Sequence, residues 1–275
     1  MKVCEICPHQ CRLEVGEVGK CRARINDGEK IFPLNYGELT SIALDPVEKK
    51  PLNRFFPGSW ILSVGSYGCN LNCPFCQNYQ ISMADSSFPT HKILPEQLAE
   101  LAEELSKREQ GNLGVAFTYN EPFISYEYIF DTSKLLKEKG LKSVLVTNGT
   151  ISGGALKKIL PFIDAMNIDL KGFGKKIYDY LGGDFETVLN TIKISAESCH
   201  VEVTTLIVPG LNDSEDDMIA ESEWLAGISA ELPLHISRFF PRYKVTDIPP
   251  TDVKKIYRLA DVAGKNLKFV YTGNC

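Results

Sequence analysis

From about residue 60 onward the sequence alternates short apolar runs with amphipathic ones, and this alternation restricts the fold more than any other feature. Strand-like runs occupy 60–64, 113–117, 142–146, 164–170, 201–208, 234–237 and 267–271. Helical spacing occupies 95–109, 124–139, 186–198, 214–227 and 251–263. Pro95 suits a first helical turn, Gly140 a C-terminal stop, and Ser214 with Asp217 resembles a capping box. Strand and helix in regular alternation build a parallel sheet with crossover helices. Six or seven such units fit an α/β fold, a partial or nearly closed (β/α) barrel. An open doubly wound sheet is the alternative, weakened by the lack of GxGxxG after an early strand. In either architecture functional residues belong just past the C-terminal ends of strands.

The first 55 or so residues read differently. They are cysteine-rich and short of helical periodicity, and are expected to form a small metal-stapled lobe (1–55) beside the barrel core (56–275). No run is long and apolar enough for a membrane helix, and Met1-Lys2-Val3-Cys4-Glu5 has no apolar signal core. The expected location is therefore the cytoplasm, with no membrane partner. The formal net charge of −5 argues against a broad basic face for nucleic acid. In a reducing compartment the nine cysteines read as metal ligands or redox groups rather than disulfides, and their odd number agrees.

Three cysteines fall in Gly68-Cys69-Asn70-Leu71-Asn72-Cys73-Pro74-Phe75-Cys76-Gln77-Asn78, a CxxxCxxC loop just past the first strand of the alternation. Three thiolates on one short loop can ligate three irons of a cubane cluster and leave the fourth iron open, as a reactive metal requires. Structural zinc usually takes four protein ligands drawn from two separated segments, which this loop does not offer.

This loop resembles the signature of the radical S-adenosylmethionine (SAM) superfamily. Asp45-Pro46-Val47-Glu48-Lys49-Lys50-Pro51-Leu52, Phe56-Pro57-Gly58-Ser59, Tyr119-Asn120-Glu121-Pro122, Thr147-Asn148-Gly149 and Asp169-Leu170-Lys171 narrow the resemblance. So do Val208-Pro209-Gly210-Leu211-Asn212-Asp213 and Pro233-Leu234-His235 with Arg238-Phe239. Together they resemble the radical SAM component of the AmmeMemoRadiSam system, a relative of the pyruvate formate-lyase activating enzymes. The resemblance implies a (β/α) barrel and an oxidoreductase in which Cys69, Cys73 and Cys76 hold a [4Fe-4S] cluster. It implies that one electron from the reduced cluster cleaves SAM to methionine and a 5′-deoxyadenosyl radical, which abstracts hydrogen from a substrate. It implies a reductant such as flavodoxin or ferredoxin, anaerobic chemistry, and a protein substrate bearing a glycyl residue. Family members often continue beyond the segment matching Tyr271-Thr272-Gly273-Asn274, whereas this sequence stops at Cys275.

The resemblance and the strand-end rule converge on the same SAM-contacting positions. Asn120 and Glu121 are expected to meet the SAM amino group, Asn148 the ribose, and Lys171 beside Asp169 the carboxylate. Thr204, with Thr205 as its neighbour, and His235 with Arg238 are further contacts. Each has a plainer reading: a helix start at Glu121-Pro122, an Asn148-Gly149 turn, strand packing for the threonines, a core or surface histidine.

Cys4, Cys7, Cys11 and Cys21 offer four thiolates, a closed set that suits a second iron–sulfur cluster, zinc, or neither. His9 is a rival ligand; Gly16 and Gly19 permit the tight turns of a knuckle. Cys199 and Cys275 read as a buried small residue and a terminal thiol. A zinc hydrolase would want His and Glu beside the cysteines, which the 69–76 loop lacks. A non-catalytic iron–sulfur electron-transfer or scaffold protein would not need polar residues at successive strand ends.

Overall fold

The computed structural model describes residues 1–275. The chain opens in short antiparallel pairs: β1 (Lys2–Val3) with β2 (Arg12–Leu13), and β3 (Arg24–Asn26) with β4 (Ile31–Pro33). β5 (Glu38–Leu39) follows. β6 (Ser41–Pro46) and β7 (Trp60–Gly65) then form an antiparallel pair that starts the main sheet. After α1 (Tyr79–Ser82), β8 (His91–Lys92) returns to pair with β5.

From there strand and helix alternate as the sequence predicts. α2 (Pro95–Ser106), β9 (Gly114–Phe117), α3 (Tyr126–Glu138), β10 (Lys142–Thr147), α4 (Gly153–Ile159) and β11 (Ala165–Asp169) come first. α5 (Lys175–Leu181), α6 (Phe185–Ala196), β12 (His200–Ile207), α7 (Glu215–Ile228), β13 (Leu234–Arg238), α8 (Val253–Ala263) and β14 (Val270–Gly273) complete the chain. The eight-stranded sheet has the order β14-β13-β12-β11-β10-β9-β7-β6. All pairings are parallel except β6 with β7, and β14 and β6 do not meet, so the barrel is partial.

The strands are apolar because both faces are covered. Outward residues such as Leu62, Val115, Leu145, Met166 and Val203 pack under helix residues such as Leu98, Leu136, Ile192, Leu225 and Leu259 in one cluster of 38 buried side chains. Inside, Ile61, Ala116, Val144 and Ala165 meet Val47, Leu52 and Phe55 from the segment after β6, which plugs the N-terminal end of the barrel. Polar bonds hold that plug. Glu202 accepts the N–H groups of Asn53 and Arg54 at 3.0 and 2.7 Å, and Asn167 donates to the Pro51 carbonyl at 2.9 Å.

β6, α4 and α5 have no counterpart among the sequence expectations. β6 lies within residues 1–55 yet is the outer strand of the main sheet, with Ile42 exposed as suits an edge. α4 opens on Gly153-Gly154, which masks its helical signal, and α5 is only seven residues long. The last strand begins at Val270, because Leu267 packs into the core with α8. At α7, Ser214 accepts the Asp217 N–H at 3.0 Å, as its spacing predicts. No helix is long and apolar enough to cross a membrane.

Candidate active site

The loop after β7 and the C-terminal ends of β9 to β13 surround a cavity of about 270 Å3. Cys69, Cys73 and Cys76 line it together with Asn120, Glu121, Asn148, Asp169, Lys171 and Thr204. The expected positions therefore meet, apart from His235.

Local sequence explains how the cysteine loop is held. Gly68 has φ +87°, and a Cβ there would lie 2.5 Å from the Cys21 carbonyl oxygen, so only glycine fits. Leu71 and Phe75 alternate with the cysteines and sink into an apolar cluster with Ile177, Leu181, Val208 and Phe239. Asn72 N–H donates to the Leu181 carbonyl at 2.9 Å. These anchors fix the loop, and the three cysteines line the cavity beside them.

Polar groups at the strand ends hold the other side of the loop. Asn120 accepts Ser66 N–H at 2.9 Å and donates to the Gly68 and Tyr67 carbonyls at 3.0 and 3.2 Å. Asn148 Nδ2 donates to Asn70 Oδ1 at 2.9 Å and lies 3.6 Å from Cys69 Sγ. Its Oδ1 accepts Thr150 N–H at 2.8 Å. Glu121 accepts Phe123 N–H at 3.0 Å, Thr147 Oγ1 at 2.7 Å and Asn148 N–H at 2.8 Å. Burial nevertheless pushes Glu121 up to about 7.

Across the cavity Lys171 Nζ lies 2.7 Å from Asp169 Oδ2. Burial would lower this ammonium, but Asp169 and the charge at Cys73 outweigh it, and Lys171 stays protonated. Thr204 Oγ1 donates to Asn167 Oδ1 at 2.9 Å, whereas Thr205 points outward to Glu221 on α7.

His235 faces the barrel interior below the cavity, where its Nε2 meets Glu202 at 2.6 Å beside His200 at 2.9 Å. Arg238 turns away to the Thr251 carbonyl at 2.7 Å and stacks on Phe240. Residues that sequence reasoning missed include Asn70, Asn78, Ser237 and Asn274, which touch the loop or line the cavity. Asn70 and Asn78 sit inside the quoted motif; Ser237 and Asn274 carry no signal beyond their place at strand ends.

The N-terminal cysteines also come together. Cys4, Cys7, Cys11 and Cys21 line one small cavity with His9 and Arg24. His9 Nε2 lies 2.7 Å from the Asn70 carbonyl oxygen, which engages that ring nitrogen with the other cysteine loop. Nowhere do three His, Cys, Asp or Glu side chains stand close enough to share one ion.

The family model described as the radical SAM superfamily matches residues 63–222, more than half of the chain. The chain belongs to the radical SAM superfamily. The protein MJ0808 of Methanocaldococcus jannaschii is 40% identical over 278 residues, spanning 98% of this radical SAM chain and 80% of that protein. The pyruvate formate-lyase-activating enzyme of Clostridium pasteurianum is 28% identical over 163 residues, 55% of this chain and 63% of that one. Among solved structures, a radical SAM methyltransferase from Sphaerobacter thermophilus superposes with a TM-score of 0.61 at 15% identity. It covers 79% of this chain and 67% of its own, a likeness of fold alone.

Membership of the radical SAM superfamily implies a [4Fe-4S] cluster and SAM, and the donor set fits them. Burial pushes the Cys73 thiol up to about 11, with Lys171 opposing, and burial aided by the Glu121 charge raises Cys69 as well. Thiolates so disfavoured on their own need a cationic partner, and binding one would release their protons.

Proposed function

We propose that the protein is a radical SAM oxidoreductase that abstracts hydrogen from a substrate, with Cys69, Cys73 and Cys76 as the cluster ligands. The observation that carries the reading is the rim cavity itself. It presents three sulfur donors from one loop, no fourth cysteine or histidine, and a protonated lysine in the same lining. A [4Fe-4S] cluster held there would supply the single electron that splits the SAM sulfonium into methionine and a 5′-deoxyadenosyl radical.

The chain's own residues would position SAM beside it. Lys171, fixed by Asp169, offers a charge-assisted bond to the SAM carboxylate. Glu121 uses three acceptor sites on Phe123, Thr147 and Asn148 and would offer its remaining one to the SAM ammonium. Asn120 and Asn148 act through the loop, holding Gly68 and Asn70 so that the sulfurs keep their spacing. Thr204, held by Asn167, lines the far wall.

Residues 1–55 would include a second metal centre at Cys4, Cys7, Cys11 and Cys21. Burial raises Cys7 to about 11, with the neighbouring cysteine charges adding to it, so metal binding, which would have to draw the four sulfurs closer together, would release their protons. The similarity to the pyruvate formate-lyase-activating enzyme of Clostridium pasteurianum supports a partner protein as substrate, with a glycyl residue as the proposed target and flavodoxin or ferredoxin as the proposed reductant.

Electron paramagnetic resonance tests the reading. Anaerobically reconstituted, reduced protein should show a [4Fe-4S]+ signal whose g-values shift when SAM is added. A cluster signal indifferent to saturating SAM would favour the electron-transfer scaffold instead.

A further inference from the structure

Arg22 adopts φ +65°, a left-handed conformation that side chains with a Cβ seldom take and that glycine or asparagine fills more easily. The arginine side chain makes bonds there that glycine could not. Its Nη2 donates to the Cys69 carbonyl at 2.9 Å and to the Ser82 carbonyl at 2.8 Å. Those two carbonyls begin and end the segment that carries all three cavity cysteines. The neighbouring residue is Cys21 of the N-terminal knuckle, whose carbonyl occupies the space a Gly68 side chain would need. A second tie runs from the same knuckle: His9, between Cys7 and Cys11, holds the Asn70 carbonyl at 2.7 Å.

The two cysteine sites are thus joined by groups interleaved with their ligands. Both bonds come from the two hydrogens of one nitrogen, Nη2, whose directions the guanidinium plane fixes, whereas a lysine ammonium on its flexible stem has no fixed donor directions. We propose that Arg22 is a positioning residue that couples the sites: metal in the N-terminal knuckle fixes Cys21, and Arg22 then holds the Cys69–Ser82 segment in its cavity-lining shape. This rests on the reading that Cys4, Cys7, Cys11 and Cys21 bind metal. The guanidinium also places a positive charge beside Cys69, which favours the more negative, reduced state of a cluster there.

The test compares the reconstituted wild type with Arg22→Gly, Arg22→Lys and a Cys7→Ser/Cys11→Ser double variant. Iron and zinc content, hydrogen exchange of residues 69–83 and the cluster reduction potential are measured on each. Arg22→Gly relieves the positive φ, so a residue that merely shapes the turn would leave every readout unchanged or the fold more stable. The expected result is full metal content and an unchanged melting temperature, with exchange across 69–83 faster by about tenfold and a lower potential. Arg22→Lys should fall between, and the double variant should lose knuckle metal and show the same faster exchange. Wild-type exchange and potential in Arg22→Gly with its metal intact would overturn the coupling while leaving the metal reading standing. Metal counts that do not fall in the double variant would overturn the metal reading, and the coupling with it.

Discussion

The Glu121 carboxylate accepts the Asn148 backbone N–H at 2.8 Å, which ties the loop after β9 to the end of β10 and aims the Asn148 side chain at Asn70. This bond makes Glu121 a brace for the cysteine loop as well as part of the cavity wall.

Glu121→Ala would leave the buried N–H groups of Asn148 and Phe123 without partners. The expected cost is about 2–4 kcal/mol of apo-protein stability. Urea denaturation measures it, and iron retention after reconstitution should fall in parallel.

Lys171→Ala should weaken SAM binding without removing the cluster. A lost charge-assisted bond of about 1.5–3 kcal/mol corresponds to roughly 10–100-fold in affinity. Equilibrium dialysis with labelled SAM reads the change, and iron content should match wild type. Loss of iron with unchanged affinity per cluster would place Lys171 among the groups that hold the loop instead.

Much of this was legible in the sequence. The barrel followed from alternating periods, and the cysteine triplet, Asn120, Glu121, Asn148, Asp169, Lys171 and Thr204 do share one cavity. Their hydrogen-bond partners were not legible, because which polar group faces a ligand and which faces a neighbouring loop depends on packing between distant segments. Asn120 and Asn148 illustrate this: both spend their amides on the 67–70 backbone and side chains. The partner of His235 was hidden for a similar reason. Period-2 alternation puts it on the interior face, but nothing local says that Glu202 waits one pleat below the cavity.

His235→Ala should accordingly act on stability. Glu202 is fully buried, and its bonds to His200, His235 and Arg54 overcome burial and hold it down to about 2. Losing one partner should cost about 1–3 kcal/mol. The native carboxylate titrates below its unfolded value, so this stability is present above the ordinary carboxylate range and is lost as pH falls through about 2. Thermal melts should show the loss, while SAM affinity stays within about twofold of wild type.

Glu221 on α7 gives the opposite pH dependence. Burial pushes it up to about 8 despite the Thr205 hydroxyl that it accepts. The fold favours its protonated form, so that contribution is intact below the usual carboxylate range and is lost as pH rises through about 8. Between about pH 5 and pH 8, Glu221→Gln should remove a decline of a few kcal/mol, read by denaturant titration of the metal-free protein.

The most direct measurement is 5′-deoxyadenosine itself. Protein purified and reconstituted without oxygen, then incubated with SAM and a strong reductant, should form 5′-deoxyadenosine and methionine, and Cys73→Ala should form neither. An intact, reduced cluster on Cys69, Cys73 and Cys76 that leaves SAM uncleaved would contradict the account.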